Sequence, residues 1–193
     1  MRGTRWEPSS SSRVGNVLAF VAVTVALLVT FSADASVGAV PRRGPFEGES
    51  PARLGHDASG HSRFILGAEA LVNKGHHRAT ISSISIVGAK NVKLVRAFVT
   101  RVPSQGPVTL MGVVNGMPPE FFAKGQAHLW QTREKAAGAH VEPTSAGSDE
   151  NMLIVVKSMN PRKKCSLDHL RVKYRVGAHR YVWNGKLSYV ITP

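Results

Sequence analysis

Leu170-Arg171-Val172-Lys173-Tyr174-Arg175-Val176 alternates an apolar side chain with a basic one at every step. Successive side chains of a β-strand point to opposite faces, so this period of two predicts a strand with one apolar and one cationic side. The four apolar residues are expected to face a core. The three cations are expected to stand together on the outer face, about 6.6 Å apart.

The chain after residue 62 carries further runs of the same kind, separated by residues that form turns. Val, Ile, Thr and Tyr dominate these runs, and an Asn-Gly pair follows residue 114. Residues 152–159 are apolar on both faces, which is typical of a central strand. The predicted strands are 64–72, 81–86, 92–100, 108–114, 152–159, 170–176 and 180–192. This pattern predicts an all-β fold, an immunoglobulin-like antiparallel β-sandwich of about seven strands.

Two details of strand register follow from the same alternation. In the first strand, the core face is expected to hold Phe64, Leu66, Ala68, Ala70 and Val72. In the last, Asn184-Gly185 is either a tight hairpin turn that creates an eighth short strand or a bulge within one long strand. The bulge is favoured, because residues 180–183 form too short a strand to pair well alone.

Composition divides the chain into three parts. Residues 1–35 are expected to be a signal peptide or membrane anchor. Residues 36–62 are rich in Pro and Gly and have no apolar period, which predicts a disordered tether. Residues 63–193 are the predicted sandwich domain. Residues 117–151 show no clear strand pattern and are expected to be an insertion within it.

The amino-terminal part indicates export. Three arginines, at positions 2, 5 and 13, precede an apolar run over residues 17–31. The run is short for a spanning helix, and Ala33-Asp34-Ala35 suits a signal peptidase that cleaves after Ala35. The alternative is an uncleaved membrane anchor over residues 17–33. Either way the rest of the chain is predicted to lie outside the cytoplasm, in the cell envelope or secreted.

The net charge of +13 favours a polyanionic partner. Nucleic acid is the usual partner of a basic protein, but the export signal argues against it. Anionic lipid head groups or a cell-wall polymer are therefore the expected partners. The alternative is a strand face kept charged only to prevent pairing between sheet edges. The predicted contact residues are Arg171, Lys173 and Arg175, with the loop residues Arg162, Lys163 and Lys164; Arg180 and Lys186 are expected on the neighbouring strand.

A copper site is the alternative function. Cys165 is the only cysteine, and Cys165-x3-His169 resembles a fragment of the metal cluster of cupredoxins, which are β-sandwich proteins. No methionine follows at the expected distance, and the neighbouring residues 162–164 are all cationic, which disfavours a bound cation. The sequence therefore predicts no metal site and no cofactor.

Catalytic motifs are missing from the sequence. It contains no G-x-S-x-G, H-E-x-x-H, G-x-x-x-x-G-K or G-x-G-x-x-G pattern. Glu69 lies in the first predicted strand and has no evident partner. A non-enzymatic binding or structural module is therefore expected, and an enzyme with its site in residues 117–151 ranks third.

Two segments carry a resemblance to a known group of proteins. Residues 73–86, NKGHHRATISSISI, and the pattern L-x-V-x-Y-R-V-G-x-x-x-Y over residues 170–181 resemble small exported β-sandwich proteins of high-GC Gram-positive bacteria. The resemblance spans about residues 63–192. It implies the sandwich fold and export, and it implies no catalytic or binding residue.

Overall fold

The structure is a computed structural model that describes residues 43–103, 110–119 and 126–193. The predicted signal peptide or anchor over residues 1–35, its cleavage site at Ala35 and residues 36–42 lie outside the described residues. Across the described ranges, no helix combines the length and apolarity needed to cross a membrane. The described residues belong to one compact unit.

The described part of the chain is mostly β-structure, as the sequence predicts. Its one α-helix, α1, spans Gln126–Gln131, and a 3-10 turn spans Thr144–Ala146. The strands are β1 (Phe46–Glu47), β2 (Ala52–Asp57), β3 (Arg63–Asn73), β4 (Ala79–Val87), β5 (Val92–Pro103), β6 (Gly112–Asn115), β7 (Glu134–Lys135), β8 (His140–Val141), β9 (Ser148–Ser158), β10 (Cys165–Leu167), β11 (His169–Val176), β12 (His179–Asn184) and β13 (Leu187–Thr192).

These strands form three sheets. Sheet I has the order β1-β3-β9-β5-β7, with β6 also paired to β3. Sheet II has the order β12-β11-β4-β8, and sheet III the order β10-β13-β2. All strand pairs are antiparallel except β2 with β13, which run parallel.

The main hydrophobic core is shared by all three sheets. Phe64 and Ile154 of sheet I, Val172 of sheet II, and Leu187 and Ile191 of sheet III belong to one buried cluster. The arrangement is therefore sandwich-like, with apolar faces of different sheets packed against each other.

Sheet I is buried on both faces. Along β9, Met152, Ile154 and Val156 enter the main core, while Leu153 and Val155 enter a second cluster on the opposite face. Leu129 and Trp130 of α1 belong to this second cluster. The prediction that residues 152–159 form a central strand is confirmed, since β9 lies between β3 and β5.

The alternation predicted for the first strand is wrong after Leu66. A register shift between Leu66 and Glu69 marks a β-bulge, after which Glu69, Leu71 and Asn73 are buried in place of Ala68, Ala70 and Val72. The buried amide of Asn151 donates to the carbonyl oxygens of Gly67 and Glu69, at 2.8 and 3.0 Å. The Asn151 side chain thus satisfies backbone carbonyl groups that the bulge removes from the hydrogen bonding between β3 and β9.

A second bulge lies in β4. Its pairing with β11 shifts between Lys173 and Tyr174, so that Lys173 pairs with Ser83 and Tyr174 with Ile81. Ser82 is the extra residue, because it has no partner position on β11. Its insertion puts Ile81 and Ile84 on the same face, where both contribute to the main core.

The predicted last strand, residues 180–192, is two strands in different sheets. β12 pairs with β11 in sheet II, whereas β13 pairs with β10 and β2 in sheet III. The favoured bulge at Asn184-Gly185 is wrong, and the hairpin alternative is wrong too, because β12 and β13 do not pair. Gly185 still donates its N–H to the carbonyl of Leu170, at 2.8 Å, as the chain crosses between the sheets.

The stretch 36–62, predicted to be a disordered tether, contains two paired strands. β1 pairs with the end of β3, and β2 pairs along all six of its residues with β13. Phe46 is buried and its ring stacks on Tyr174, with centroids 3.7 Å apart. The tether prediction is therefore wrong for residues 46–57. The prediction failed because it used only local Pro and Gly content, whereas these strands are stabilised by partners that lie far away in the sequence.

The predicted insertion over residues 117–151 contributes to the sheets. It contains α1, and β7 and β8 extend sheets I and II at their edges. Its last residues, from Ser148 onward, belong to β9.

Candidate functional site

The outer face of sheet II holds the predicted cations of β11. Leu170, Val172 and Tyr174 are buried in the main core, while Lys173 and Arg175 are exposed and Arg171 is half-buried. The alternation predicted for residues 170–176 is therefore confirmed, since the three cations alternate with the three buried side chains.

Cross-strand pairing places a hydroxyl side chain of β4 on one side of each cation and a residue of β12 on the other. In register, Arg171 lies between Asn184 and Ser85, and Lys173 between Val182 and Ser83. Arg175 lies between Arg180 and Thr80, and Thr80 in turn pairs with His140 on β8. We call these ten residues the basic face: Thr80, Ser83, Ser85, His140, Arg171, Lys173, Arg175, Arg180, Val182 and Asn184.

The basic face contains no carboxylate. The ion pairs recorded in the described ranges, Arg78 with Glu142 at 2.6 Å and Arg101 with Glu150 at 3.6 Å, both lie outside it. Its four lysine and arginine side chains are therefore not neutralised within the face, and their positive potential is directed at solvent.

Hydrogen bonds hold two positions of the basic face. The Arg171 Nε donates to the Asn184 Oδ1 at 3.0 Å. The Thr80 hydroxyl and the His140 Nδ1 are 3.2 Å apart. The Arg171 bond uses only one of the five guanidinium N–H groups, so the others can still bind an anion.

The loop cations Arg162, Lys163 and Lys164 are exposed, but they precede β10 of sheet III and are not residues of sheet II. The Asn91 side chain holds their loop by donating to the carbonyl oxygens of Asn160 and Lys163, at 2.8 and 2.9 Å. Lys186 lies in the connection between β12 and β13. Of the two cations expected on the neighbouring strand, Arg180 alone is on β12.

The thiol of Cys165 is buried and engaged in hydrogen bonds. It donates towards the carbonyl oxygen of Asn91 and the hydroxyl of Ser158, both at 3.2 Å. His169 begins β11 in a different sheet, and its Nε2 is buried without a hydrogen-bond partner. No group of three metal-ligating side chains occurs among residues 43–103, 110–119 and 126–193.

A buried pair of polar groups consists of Glu69, which was noted from the sequence, and Tyr189, which was missed. Glu69 and Tyr189 are 0% and 1% exposed, and the Tyr189 hydroxyl has no hydrogen-bond partner among the described residues. Burial raises the pKa of Glu69 to about 7, and the backbone N–H of Lys186 opposes this shift. Burial, followed by the nearby charge of Glu69, raises the pKa of Tyr189. An acidic residue in an otherwise apolar run was the sequence signal available for this pair.

The chain crossing at Gly185 closes over Glu69. A Cβ atom on Gly185 would lie 2.6 Å from the Glu69 Oε1, so any side chain there would force the buried Glu69 carboxyl group to shift. The Asn-Gly pair, interpreted from sequence as a turn or bulge, thus allows the backbone to approach a buried carboxyl group.

Comparison with known protein families and with curated proteins finds no match for this chain.

Proposed function

We propose that the protein is a non-enzymatic module of the cell envelope, with an immunoglobulin-like sandwich that is exported and either anchored or released. In this proposal the basic face binds an anionic lipid surface or cell-wall polymer. The observation that supports it is the cross-strand pairing in sheet II. Through this pairing Arg171, Lys173, Arg175 and Arg180 share the basic face with hydroxyl and amide side chains, and the face contains no carboxylate.

The size of the interaction follows from the number of cations. Each lysine or arginine near an anionic membrane surface contributes about 1 kcal/mol, and the attraction fades within a Debye length of about 8 Å at physiological salt. Four cations on one face therefore give weak binding for a single molecule. Such binding is strongly reduced by added salt.

Export rests on the sequence of residues 1–35. Arginines before a short apolar run and an A-x-A site are the pattern of a signal peptide, and the anchor alternative leaves the sandwich on the same side of the membrane. Reporter fusions after Pro193 test this topology. Activity of an enzyme that works only outside the cytoplasm is expected, and activity of one that works only inside would contradict export.

Sedimentation of the full-length protein tests binding. The probes are phosphatidylglycerol-containing vesicles, phosphatidylcholine vesicles and purified cell-wall fragments, each at low and high salt. The variant Arg171→Gln/Lys173→Gln/Arg175→Gln is expected to sediment less with the anionic probes at low salt. Its thermal stability should barely change, because Lys173 and Arg175 are exposed, where a charge usually matters by less than ~0.5 kcal/mol, and Arg171 is only half-buried.

A charge-matched control separates the basic face from net charge. Lys93, Arg96 and Lys135 are exposed residues of sheet I, and their joint replacement by Gln removes the same three charges. Equal loss of sedimentation in both triple variants would mean that overall charge, and not this face, causes binding.

A further inference from the structure

The basic face contains a repulsive contact that an anion would relieve. Arg175 and Arg180 are paired across β11 and β12, and directly opposite residues have Cβ atoms about 4.5–5.5 Å apart. Like charges in this position destabilise a sheet. Thr80 and His140 complete the row, so the row contains no carboxylate that could neutralise either guanidinium group.

The cations of β11 also have a regular spacing. Arg171, Lys173 and Arg175 are two residues apart, which is about 6.6 Å along a strand and corresponds to six backbone bonds. A phosphodiester polymer with three carbon atoms between phosphates, P–O–C–C–C–O–P, also repeats every six bonds. Bonds of similar length give such a polymer, when extended, a repeat of about 7 Å.

We infer that the basic face binds a linear polyol-phosphate polymer, with successive phosphates along β11 at Arg171, Lys173 and the Arg175–Arg180 pair. This inference rests on the proposed function and specifies its ligand. Guanidinium groups suit the outer positions because they donate paired N–H groups to phosphate oxygens. At Lys173 the ammonium group supplies a point charge between them.

A row of hydroxyl groups lies beside these cations. Ser85, Ser83 and Thr80 pair with Arg171, Lys173 and Arg175, respectively, on the β4 side. Hydroxyl groups both donate and accept, so they can bind the phosphate oxygens or the hydroxyl groups of a polyol unit. A ligand with phosphate and hydroxyl groups in each repeat matches both rows.

The basic face has no exposed large apolar side chain, since its one apolar member, Val182, is half-buried, and this disfavours two other polyanions. The aromatic residues of β11 and β12 in these rows, Tyr174, Tyr181 and Trp183, occupy the inner positions. The face thus offers no Phe, Tyr or Trp ring on which the bases of a single-stranded nucleic acid could stack. The large apolar residues exposed within the described ranges, Val95 and Met159, lie elsewhere, so the face has no exposed large apolar side chain to insert into a bilayer.

The test is a titration of the full-length protein, held in neutral detergent, with glycerol 3-phosphate, a trimer of glycerol phosphate and long poly(glycerol phosphate). Affinity should rise by about tenfold or more from monomer to trimer, because successive phosphates bind as linked groups. The triple variant of Arg171, Lys173 and Arg175 should lose about tenfold or more of the polymer affinity. The matched variant of Lys93, Arg96 and Lys135 should stay within about twofold of the wild type.

Two results would overturn the inference. One is equal affinity for monomer and trimer, which would show that the strand spacing is not used. The other is binding of poly(dT) as tight as binding of poly(glycerol phosphate), which would show no preference for polyol units over nucleotides. Either result leaves the proposed function in place if vesicles or wall fragments still sediment the wild type better than the triple variant. Loss of that difference would instead contradict the proposed function itself.

Discussion

Arg175 on β11 and Arg180 on β12 are paired in register on the outer face of sheet II. The strands that carry them are fixed by their inner side chains, because Tyr174 and Tyr181 also pair and their rings stack with centroids 5.5 Å apart. Inner packing thus holds two like charges together on the outside. This arrangement costs stability in the absence of an anion.

Replacing Arg180 by Gln should therefore stabilise the unliganded protein slightly. The expected gain in the free energy of unfolding is a few tenths of a kcal/mol, about the size of other cross-strand charge effects. Urea denaturation at low salt measures it, and high salt should abolish the difference. Arg53→Gln, at an exposed position of β2, is the control that should show no gain. A clear loss of stability in Arg180→Gln would contradict the repulsion.

Glu69 should make stability depend on pH. Its pKa is about 7 in the folded protein against 4.5 for an ordinary glutamate, so the unfolded chain releases this proton at lower pH than the folded protein does. Stability should therefore fall as pH rises from about 4.5 to 7 and level off above that range. Burial likewise raises the pKa of Glu150 to about 7, and its contribution has the same sign.

The variant Glu69→Gln isolates the first of these contributions. It should be more stable than the wild type at pH 8, by up to about 3 kcal/mol, and should show a flatter pH profile. Denaturant unfolding between pH 4 and 8 measures this. Glu47→Gln, at an exposed position of β1, should leave the profile unchanged. An unchanged slope in Glu69→Gln would mean that the carboxyl group titrates normally.

Gly185→Ala should destabilise the protein. The new methyl group would overlap the Glu69 carboxyl group, and overpacking of this kind costs about 1–3 kcal/mol. Gly55→Ala on β2 is a matched control, since a Cβ atom there meets nothing within 4 Å. Equal unfolding midpoints for the two variants would contradict the close approach of the crossing chain to Glu69.

Phe46→Ala should destabilise the protein by about 3 kcal/mol or more, as expected for removing a buried aromatic side chain. The ring is 5% exposed and stacks on Tyr174. Chemical denaturation measures the loss, with the exposed Arg53→Ala as the control. A loss below about 0.5 kcal/mol would restore the view that residues 36–62 are a tether.

Sequence alternation predicts the basic strand well because it is a local property. Leu170, Val172 and Tyr174 are buried and Lys173 and Arg175 are exposed, as a period of two requires. The same rule fails at Glu69, because a bulge depends on the partner strand and on Asn151, which lies 82 residues further along the chain. A bulge reverses which side chains are buried, and nothing in the local pattern marks it.

Composition also could not predict which distant segments of the chain pair with each other. Residues 52–57 have no apolar period, yet they pair with residues 187–192 at the edge of sheet III. The sequence also predicted that the loop cations and the strand cations form one basic surface, but the sheet topology places them at different sheets. Arg162, Lys163 and Lys164 lead into sheet III, while Arg171 and its neighbours belong to sheet II.

Lysine footprinting of the full-length protein tests the central claim most directly. An amine-reactive reagent is applied with and without purified cell-wall fragments at low salt, and modification of each lysine is quantified by mass spectrometry. Binding through the basic face predicts that the fragments protect Lys173, whereas Lys93 and Lys135 on sheet I react at unchanged rates. Protection of Lys163 and Lys164 with no protection of Lys173 would contradict the account and place the contact at the loop before β10.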